Sequence, residues 1–278
     1  MLTIDSPAKV NLHLGVYEKN PDGFHRIESI MLALRFGDIL HVECAVEDAL
    51  QFSGLAVPEE NSIQRAIQLF RNYTGWTEKI RIQVEKRIPI GAGLGGGSSN
   101  AITTLKALDH LAGSIVSPEL FRAMAEEIGS DGAFFLSGGA AWVEGRGEIC
   151  SPIPYPDGLS IVLVYPGFQS STASAYRWLD SYRDQNGLPF TTNDRSQLIA
   201  ALATPPCQWH YFNDFLPVLM AYGHFAYKFL LEDLENADFS GLSGSGSSCF
   251  GIYQDPDQAK RSAAILSEKW PFVVCEQL

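Results

Sequence analysis

The stretch Pro89-Ile-Gly-Ala-Gly-Leu-Gly-Gly-Gly-Ser-Ser99 puts five glycines into seven consecutive positions. Each glycine costs roughly 0.5–1 kcal/mol in lost chain entropy, so a run this dense implies a backbone that must approach something closely. Upstream, Ile80, Ile82 and Val84 alternate with Arg81, Gln83 and Glu85, the period of a strand with one polar face. Downstream, Ala101, Leu105, Leu108 and Ala112 fall on one side of a helix. The chain is therefore constrained to a strand, loop and helix unit, with several loop N–H groups and the positive helix end aimed at one place. A phosphate fits such a place.

Rival glycine motifs fail on particular residues. Gly91, Gly93 and Gly96 satisfy G-x-G-x-x-G, but the preceding strand is not apolar on both faces, as the central strand of a dinucleotide fold would be. The acid expected about twenty residues on would be Asp109, which sits inside the next helix rather than at a strand end. A nicotinamide-dependent oxidoreductase therefore ranks last. Gly97 stands where a Walker A loop needs lysine, and no G-x-S-x-G elbow occurs.

The formal net charge is −12, which argues against a general nucleic-acid binder, because such proteins need a broad basic face. Yet no acidic residue falls between Lys86 and Leu108, the segment holding the glycine loop. That local gap in an acidic chain suits a polyanion such as ATP. No apolar run reaches the length of a membrane helix, and Met1–Leu12 lacks a signal-peptide pattern, so a cytoplasmic protein with no membrane partner is expected. The five cysteines, at 44, 150, 207, 249 and 275, form no C-x-x-C pair and are expected to be reduced and mostly buried. Cys207 and His210 make a C-x-x-H with no second pair, too few ligands for zinc.

Elsewhere, Val10, Leu12, Leu14 and Val16 share one strand face, while Lys9, Asn11 and His13 share the other. A turn at Pro21-Asp22-Gly23 and strands at Phe24–Met31 and Ile39–Cys44 predict a three-stranded antiparallel start. Helices are expected after Asn61-Ser62, after Ser117-Pro118, near Ser174–Tyr182, Ser196–Ala203, Asp214–Tyr222 and His224–Leu234, and after Asp255-Pro256. Phe134–Cys150 reads as a hairpin, Ile161–Tyr165 as a strand, and a short strand pair flanks Gly244. Three prolines and a glycine within 151–158 mark a linker and place a domain boundary at 152/153. Strands and helices intermix without a βαβ rhythm, which predicts an α+β fold with helices packed on mixed or antiparallel sheets. The second glycine turn, Ser243-Gly-Ser-Gly-Ser-Ser-Cys249, reads equally as an amide nest or a tight turn.

Three segments stand in order: Ser6-Pro-Ala-Lys-Val-Asn-Leu12, the glycine loop, and Leu242-Ser-Gly-Ser-Gly-Ser247. Together they resemble the three motifs of the GHMP kinase superfamily. Asp22-Gly-Phe-His25 and the run Lys86 to Asn100 are similar, within it, to the 4-diphosphocytidyl-2-C-methyl-D-erythritol kinase family. The resemblance implies a two-domain fold, with residues 1–152 as the N-terminal ATP-binding and catalytic domain and 153–278 as the C-terminal substrate-side domain. It implies transfer of the ATP γ-phosphoryl to the 2-hydroxyl of a cytidine diphosphate-linked acceptor, with Mg²⁺ accompanying the ATP through ligands the motifs leave unassigned.

Carried over by position, the phosphate loop is Pro89, Ile90, Gly91, Ala92, Gly93, Leu94, Gly95, Gly96, Gly97, Ser98 and Ser99, and Asn61 matches an adenine-side asparagine. The catalytic pair falls on Lys9 and Asp131: Asp131 accepts the proton of the attacking hydroxyl, and Lys9 steadies the charge. The substrate side falls on Asn11, Phe24, His25 and Tyr176, with the two aromatics against the faces of the cytosine and His25 at its edge. Taken alone, Asn61 reads as a helix cap, Lys9 as a surface lysine and Asp131 as a turn residue. Gly132 and Ala133 stand where the family commonly has a β-branched residue and proline, which predicts a looser loop around Asp131. A sister kinase acting on mevalonate, homoserine or a sugar, and a non-catalytic nucleotide-sensing relative, are the alternatives. Phe24, His25 and Tyr176 speak against the first, and Lys9 with Asp131 against the second.

Overall fold

The computed structural model describes residues 1–21, 23–53, 61–186, 194–223 and 225–278. Asp22 of the expected turn and His224 at the start of an expected helix lie outside the described residues. In chain order the elements are β1 (Leu2–Lys19), β2 (His25–Cys44), β3 (Ala49–Phe52), α1 (Ser62–Thr74), β4 (Ile80–Glu85), α2 (Gly96–Leu111), α3 (Pro118–Ile128), α4 (Gly132–Ser137), β5 (Ala140–Gly145) and β6 (Ile149–Pro152). Then follow β7 (Ser160–Tyr165), α5 (Thr172–Asn186), α6 (Arg195–Ala201), α7 (Phe215–Tyr222), α8 (Ala226–Asp233), β8 (Phe239–Leu242), β9 (Cys249–Tyr253), α9 (Pro256–Lys269) and β10 (Phe272–Gln277).

Two sheets result. The first runs β3-β4-β2-β5-β6, with β1 also paired to β2, and only the β3–β4 pair is parallel. The second runs β10-β7-β9-β8, antiparallel throughout. The fold is α+β, as the intermixed pattern predicted.

Strand alternation divides the apolar residues between layers. Leu40, Val42, Ile82 and Val84 face one way, into a core closed by Phe70 of α1, Leu105 of α2 and Met124 of α3. Val10, Leu12, Ile30 and Leu32 face the other way, against Ile161, Leu163, Phe250 and Ile252 of the second sheet. The far side of that sheet, Val162, Val164 and Tyr253, packs on Leu179 of α5, Val218 of α7, Leu230 of α8 and Leu266 of α9. The order of layers is helices, sheet, sheet, helices. The Glu276 carboxylate pins the two sheets at one edge, accepting from the backbone N–H of Arg35 and Phe36 at 2.7 Å each.

Several expectations change. The strands at 24–31 and 39–44 are one twenty-residue strand, β2, so the start is a long two-stranded ribbon rather than three strands. Phe134–Ser137 is not the first arm of a hairpin but lies in α4; the hairpin is β5–β6. A four-residue apolar run suits either period, and packing of Phe134 and Phe135 against the α2–α3 core selects the helix. The 151–158 stretch is partly strand, and Tyr155 of it donates to the Ala33 carbonyl at 2.8 Å. Of the thiols only Cys249 is buried; Cys44, Cys207 and Cys275 are exposed and Cys150 is half-buried. The final strand β10 follows a break at Trp270-Pro271 that sequence pattern did not single out. No helix among the described residues is long and apolar enough to cross a membrane.

Candidate active site

An open cleft of about 560 Å³ lies where β1, the 89–98 loop, α4 and α5 meet. Its wall carries Lys9, Asn11, Asn61, Pro89 to Ser98, Asp131 and Tyr176. Gly91, Gly93 and Gly95 take the left-handed backbone conformation, with φ of 66°, 77° and 70°. Gly95 is the N-cap of α2 and supplies no side-chain cap, so the first-turn N–H groups at Gly96, Gly97 and Ser98 begin the helix at the cleft wall. No acidic residue occupies that turn.

The second glycine turn braces the first. Ser248 N–H donates to the Ala92 carbonyl at 3.0 Å, and Ser243 Oγ donates to the Gly93 carbonyl at 3.0 Å. A Cβ on Gly93 would fall 2.2 Å from the Ser243 carbonyl oxygen, so the two turns approach to a distance only glycine permits. The 243–249 turn thus braces the 89–98 loop, while its Gly244 and Ser245 also border the cleft. On the other side, the Lys9 N–H donates to the Leu94 carbonyl at 3.0 Å, which fastens the loop to β1.

The acid-free run in the sequence is not acid-free in space. Asp38 of β2 is fully buried beneath the entry to the loop. Its carboxylate accepts from Arg87 N–H at 2.7 Å, Ile88 N–H at 2.8 Å, Asn100 Nδ2 at 2.9 Å and Lys86 Nζ at 2.7 Å. Lys86 also donates to the Ile88 carbonyl. Its charge is thus matched by Asp38, and Lys86 is a strut of the loop rather than a free cation for an incoming anion. Ser99 is likewise internal: it is buried, 2.9 Å from Ser6 Oγ. Asn61 caps α1 by accepting from the Ile63 N–H at 2.8 Å, and it also borders the cleft.

Lys9 is 4% exposed, so the polar face of β1 turns into the protein rather than toward solvent. Its ammonium donates to Asn11 Oδ1 at 2.6 Å and lies 3.9 Å from the Asp131 carboxylate. Burial pushes the Lys9 pKa below the usual lysine value, and the Asp131 charge opposes that fall. Asn11 is oriented in turn by donating to Ser29 Oγ at 2.8 Å. Asp131 occupies the N-cap position of α4 without capping it, which leaves its carboxylate for the cleft.

The loop around Asp131 is tight, not loose. A Cβ on Gly132 would meet the Ala125 carbonyl oxygen at 2.2 Å, because α4 starts directly against the end of α3. Gly132 N–H also donates to the Gly129 carbonyl at 2.9 Å. Lys106 of α2 reaches the Phe135 carbonyl at 2.8 Å and holds α4 from beneath. Close behind, the Cys150 thiol is pushed up to about 11, by burial first and then by the Asp131 and Glu148 charges.

At the other end of the cleft stand Phe24, His25 and Tyr176. Phe24 is 55% exposed and lies under the guanidinium of Arg146, 4.6 Å from its ring centroid. His25 is buried, with Nδ1 2.8 Å from the Tyr17 carbonyl and Nε2 3.2 Å from Asp180 Oδ1. Its ring stacks on Tyr176 at 5.0 Å and 19°. Tyr176 is set edge-on against Phe215 at 4.9 Å. Burial, followed by the Asp131 and Asp180 charges, pushes the Tyr176 hydroxyl up to about 12, so one phenol lies within the field of both ends of the cleft. Phe24 and His25 flank the cleft without forming its wall, whereas Tyr176 and Arg146 do form it.

Sequence reasoning passed over Asp38, Arg146 and Asp180. Arg146 had a signal, a lone cation between Gly145 and Gly147 at a strand turn. Asp180 follows Tyr176 by four residues on a helix and so shares its face. Asp38 had no local signal, since its partners lie about fifty residues on.

The fold and the loop-and-pair site define a GHMP-type kinase architecture: the model of the GHMP kinases N terminal domain matches residues 61–139, and that of the GHMP kinases C terminal region matches 221–271. The homoserine kinase of Cytophaga hutchinsonii, 17% identical, shares the fold at a TM-score of 0.67 over all of this chain and 96% of its own. A 4-diphosphocytidyl-2-C-methyl-D-erythritol kinase of Treponema pallidum (strain Nichols) is 35% identical over 286 residues, covering 98% of this chain and 97% of its own. A crystal structure of 4-(cytidine 5'-diphospho)-2C-methyl-D-erythritol kinase matches with a TM-score of 0.82 at 31% identity, over 99% of this chain and 98% of that one. The chain belongs to the 4-diphosphocytidyl-2-C-methyl-D-erythritol kinase family.

Proposed function

We propose that this chain transfers the γ-phosphoryl of ATP to the 2-hydroxyl of 4-diphosphocytidyl-2-C-methyl-D-erythritol. Family membership supports the acceptor, and the observation that carries the chemistry is the Lys9–Asp131 pair, 3.9 Å apart, beside an uncapped helix start in a glycine loop. Phosphoryl transfer asks a protein mainly for positioning and charge stabilisation. The loop N–H groups and the α2 dipole hold the ATP phosphates, with Asn61 on the adenine side. Asp131 accepts the proton of the acceptor hydroxyl as it attacks. Lys9, with its ammonium steered by Asn11, faces the oxygen where charge gathers.

Mg²⁺ suits this cleft on one condition. Among its described wall residues Asp131 is the sole carboxylate, and no group of three His, Cys, Asp or Glu side chains that could hold a metal occurs among the described residues. Mg²⁺ commonly binds through one or two carboxylates, waters and substrate phosphates, so it would come with the nucleotide, near Asp131, neutralising phosphate charge. The cytidine ring is assigned to the end bearing Phe24, His25 and Tyr176. Residues 1–152 form the ATP-binding and catalytic unit in this reading, and 153–278 the substrate-side unit, in a cytoplasmic enzyme.

The test is Asp131→Asn in a coupled ADP-release assay with the cytidine diphosphate-linked acceptor. Loss of the base predicts a fall in kcat of roughly 10²–10⁴-fold. Turnover near wild type would remove Asp131 from the mechanism.

A further inference from the structure

We infer that Ser29 of β2 is a positioning residue for phosphoryl transfer: it fixes which end of the Asn11 amide faces Lys9. This role rests on the proposed part of the Lys9–Asp131 pair and adds to it a residue outside the cleft wall. Ser29 is fully buried, whereas Ile27 and Met31, two residues to either side on the same strand face, both border the cleft. Met31 is the register partner of Asn11, so Ser29 is the diagonal neighbour of Asn11 across the β1–β2 pair, within reach of its side chain. The register then slips by one residue between Asn11 and His13, and the Ser29 side chain sits at that bulge. Its Oγ touches the Asn11 amide at 2.8 Å and the His13 carbonyl at 2.6 Å.

The donors and acceptors allow one arrangement. A hydroxyl carries a single proton and a carbonyl only accepts, so the Ser29 proton is committed to His13. Toward Asn11 the Ser29 oxygen therefore accepts, and the amide must turn its NH2 that way. The amide oxygen then points to the other side, where the Lys9 ammonium, which has donors only, meets Oδ1 at 2.6 Å. With the amide reversed, NH2 would face ammonium, donor against donor, and Ser29 could supply Asn11 only by abandoning His13. The series His13 carbonyl, Ser29, Asn11, Lys9 is thus ordered end to end, and all four residues are buried, away from water that could replace a lost partner. Its far end is the ammonium 3.9 Å from the Asp131 carboxylate. Without Ser29 the amide still meets Lys9 but loses the support that fixes its plane. A charge held loosely stabilises a developing oxyanion less than a preorganised one.

The experiment measures acceptor-dependent ADP release in Ser29→Ala, in the near-isosteric Ser29→Cys, whose thiol is a weak donor and acceptor, and in Ser29→Thr, which keeps the hydroxyl. In the alanine and cysteine variants kcat is expected to fall by roughly 10- to 100-fold, the scale of a slightly misplaced catalytic group, with the KM for ATP unchanged. Ser29→Thr should retain most of kcat. The decisive comparison repeats Ser29→Ala in an Asn11→Ala background. A residue that acts through Asn11 has nothing left to position there, so no further fall in kcat is expected, whereas a merely structural serine would lower it by the same factor in both backgrounds. If alanine leaves too little folded protein, Ser29→Cys carries the same comparison. Equal losses in the two backgrounds, or wild-type kcat in both Ser29→Ala and Ser29→Cys, would overturn the proposal alone. A wild type without acceptor-dependent turnover, or a Lys9→Met variant that turns over normally, would remove the functional reading and the proposal with it, so the two failures are distinguishable.

Discussion

In the proposed reading, the two ends of the cleft hold their ligands by opposite means. At the phosphate end one continuous segment, 89–98, lines the cleft with backbone, while its Ala92 and Leu94 side chains are buried in the core. At the base end, side chains from three distant places meet: Phe24 and His25 before and at the start of β2, Arg146 at the β5–β6 turn, Tyr176 and Asp180 on α5. A phosphate carries no identity to read, so shape and a helix dipole suffice. A base must be told from its neighbours, which takes placed donors and acceptors. The phosphate end is therefore built into the folding core, while the base end is mounted on it.

The sharpest way to break this contrast is Asp38→Ala. The carboxylate is fully buried and accepts four hydrogen bonds that anchor the loop entry, including one from Lys86. Breaking a buried pair by removing one partner costs about 3–5 kcal/mol. Urea denaturation is expected to show that loss, with a raised KM for ATP in whatever remains folded. A loss under about 1 kcal/mol would mean that the loop holds its shape without Asp38.

Gly93→Ala should act at the same end with a smaller effect. Its φ of 77° alone costs an L-residue roughly 1–2 kcal/mol, and the new Cβ would meet the Ser243 carbonyl at 2.2 Å. The expected outcome is a lower melting temperature together with weaker ATP binding, since the two glycine turns must part. An unchanged melting temperature would show that 243–249 lies beside the loop without bracing it.

How much of this was legible in the sequence follows the same division. Local chemistry was readable: the glycine loop, its strand and helix, and the Asn61 and Ser117 caps all stand where pattern put them. Asn61 is indeed a cap, accepting from Ile63, as its residue type alone implied. The misreadings are cases where a distant partner decides. β2 was read as two strands, at 24–31 and 39–44, yet pairing with β1 on one side and with β4 and β5 on the other carries the strand through. The acid-free run of sequence gains a carboxylate in space, because Asp38, nearly fifty residues earlier, pairs with Lys86. Gly132 suggested slack near Asp131, where the Ala125 carbonyl in fact leaves no room for a side chain.

Phe24→Ala addresses the base end and should have the smallest effect on folding and a clear one on binding. The residue is 55% exposed, and its ring lies under the Arg146 guanidinium, itself on the cleft wall. Surface substitutions of this kind usually change stability by less than about 0.5 kcal/mol. Removing one stacking face from a single base should cost about 1–3 kcal/mol of binding, which corresponds to a rise in acceptor KM of roughly 5- to 150-fold. The KM for ATP should not follow, because Phe24 is not part of the cleft wall that the 89–98 loop forms. Steady-state kinetics varied in each substrate separately will show whether the effects part in this way. If Phe24→Ala instead lowered the melting temperature as far as Gly93→Ala, the base end would belong to the folding core as well. The distinction between a built-in anion cradle and a mounted reading head would then fail at its simplest point.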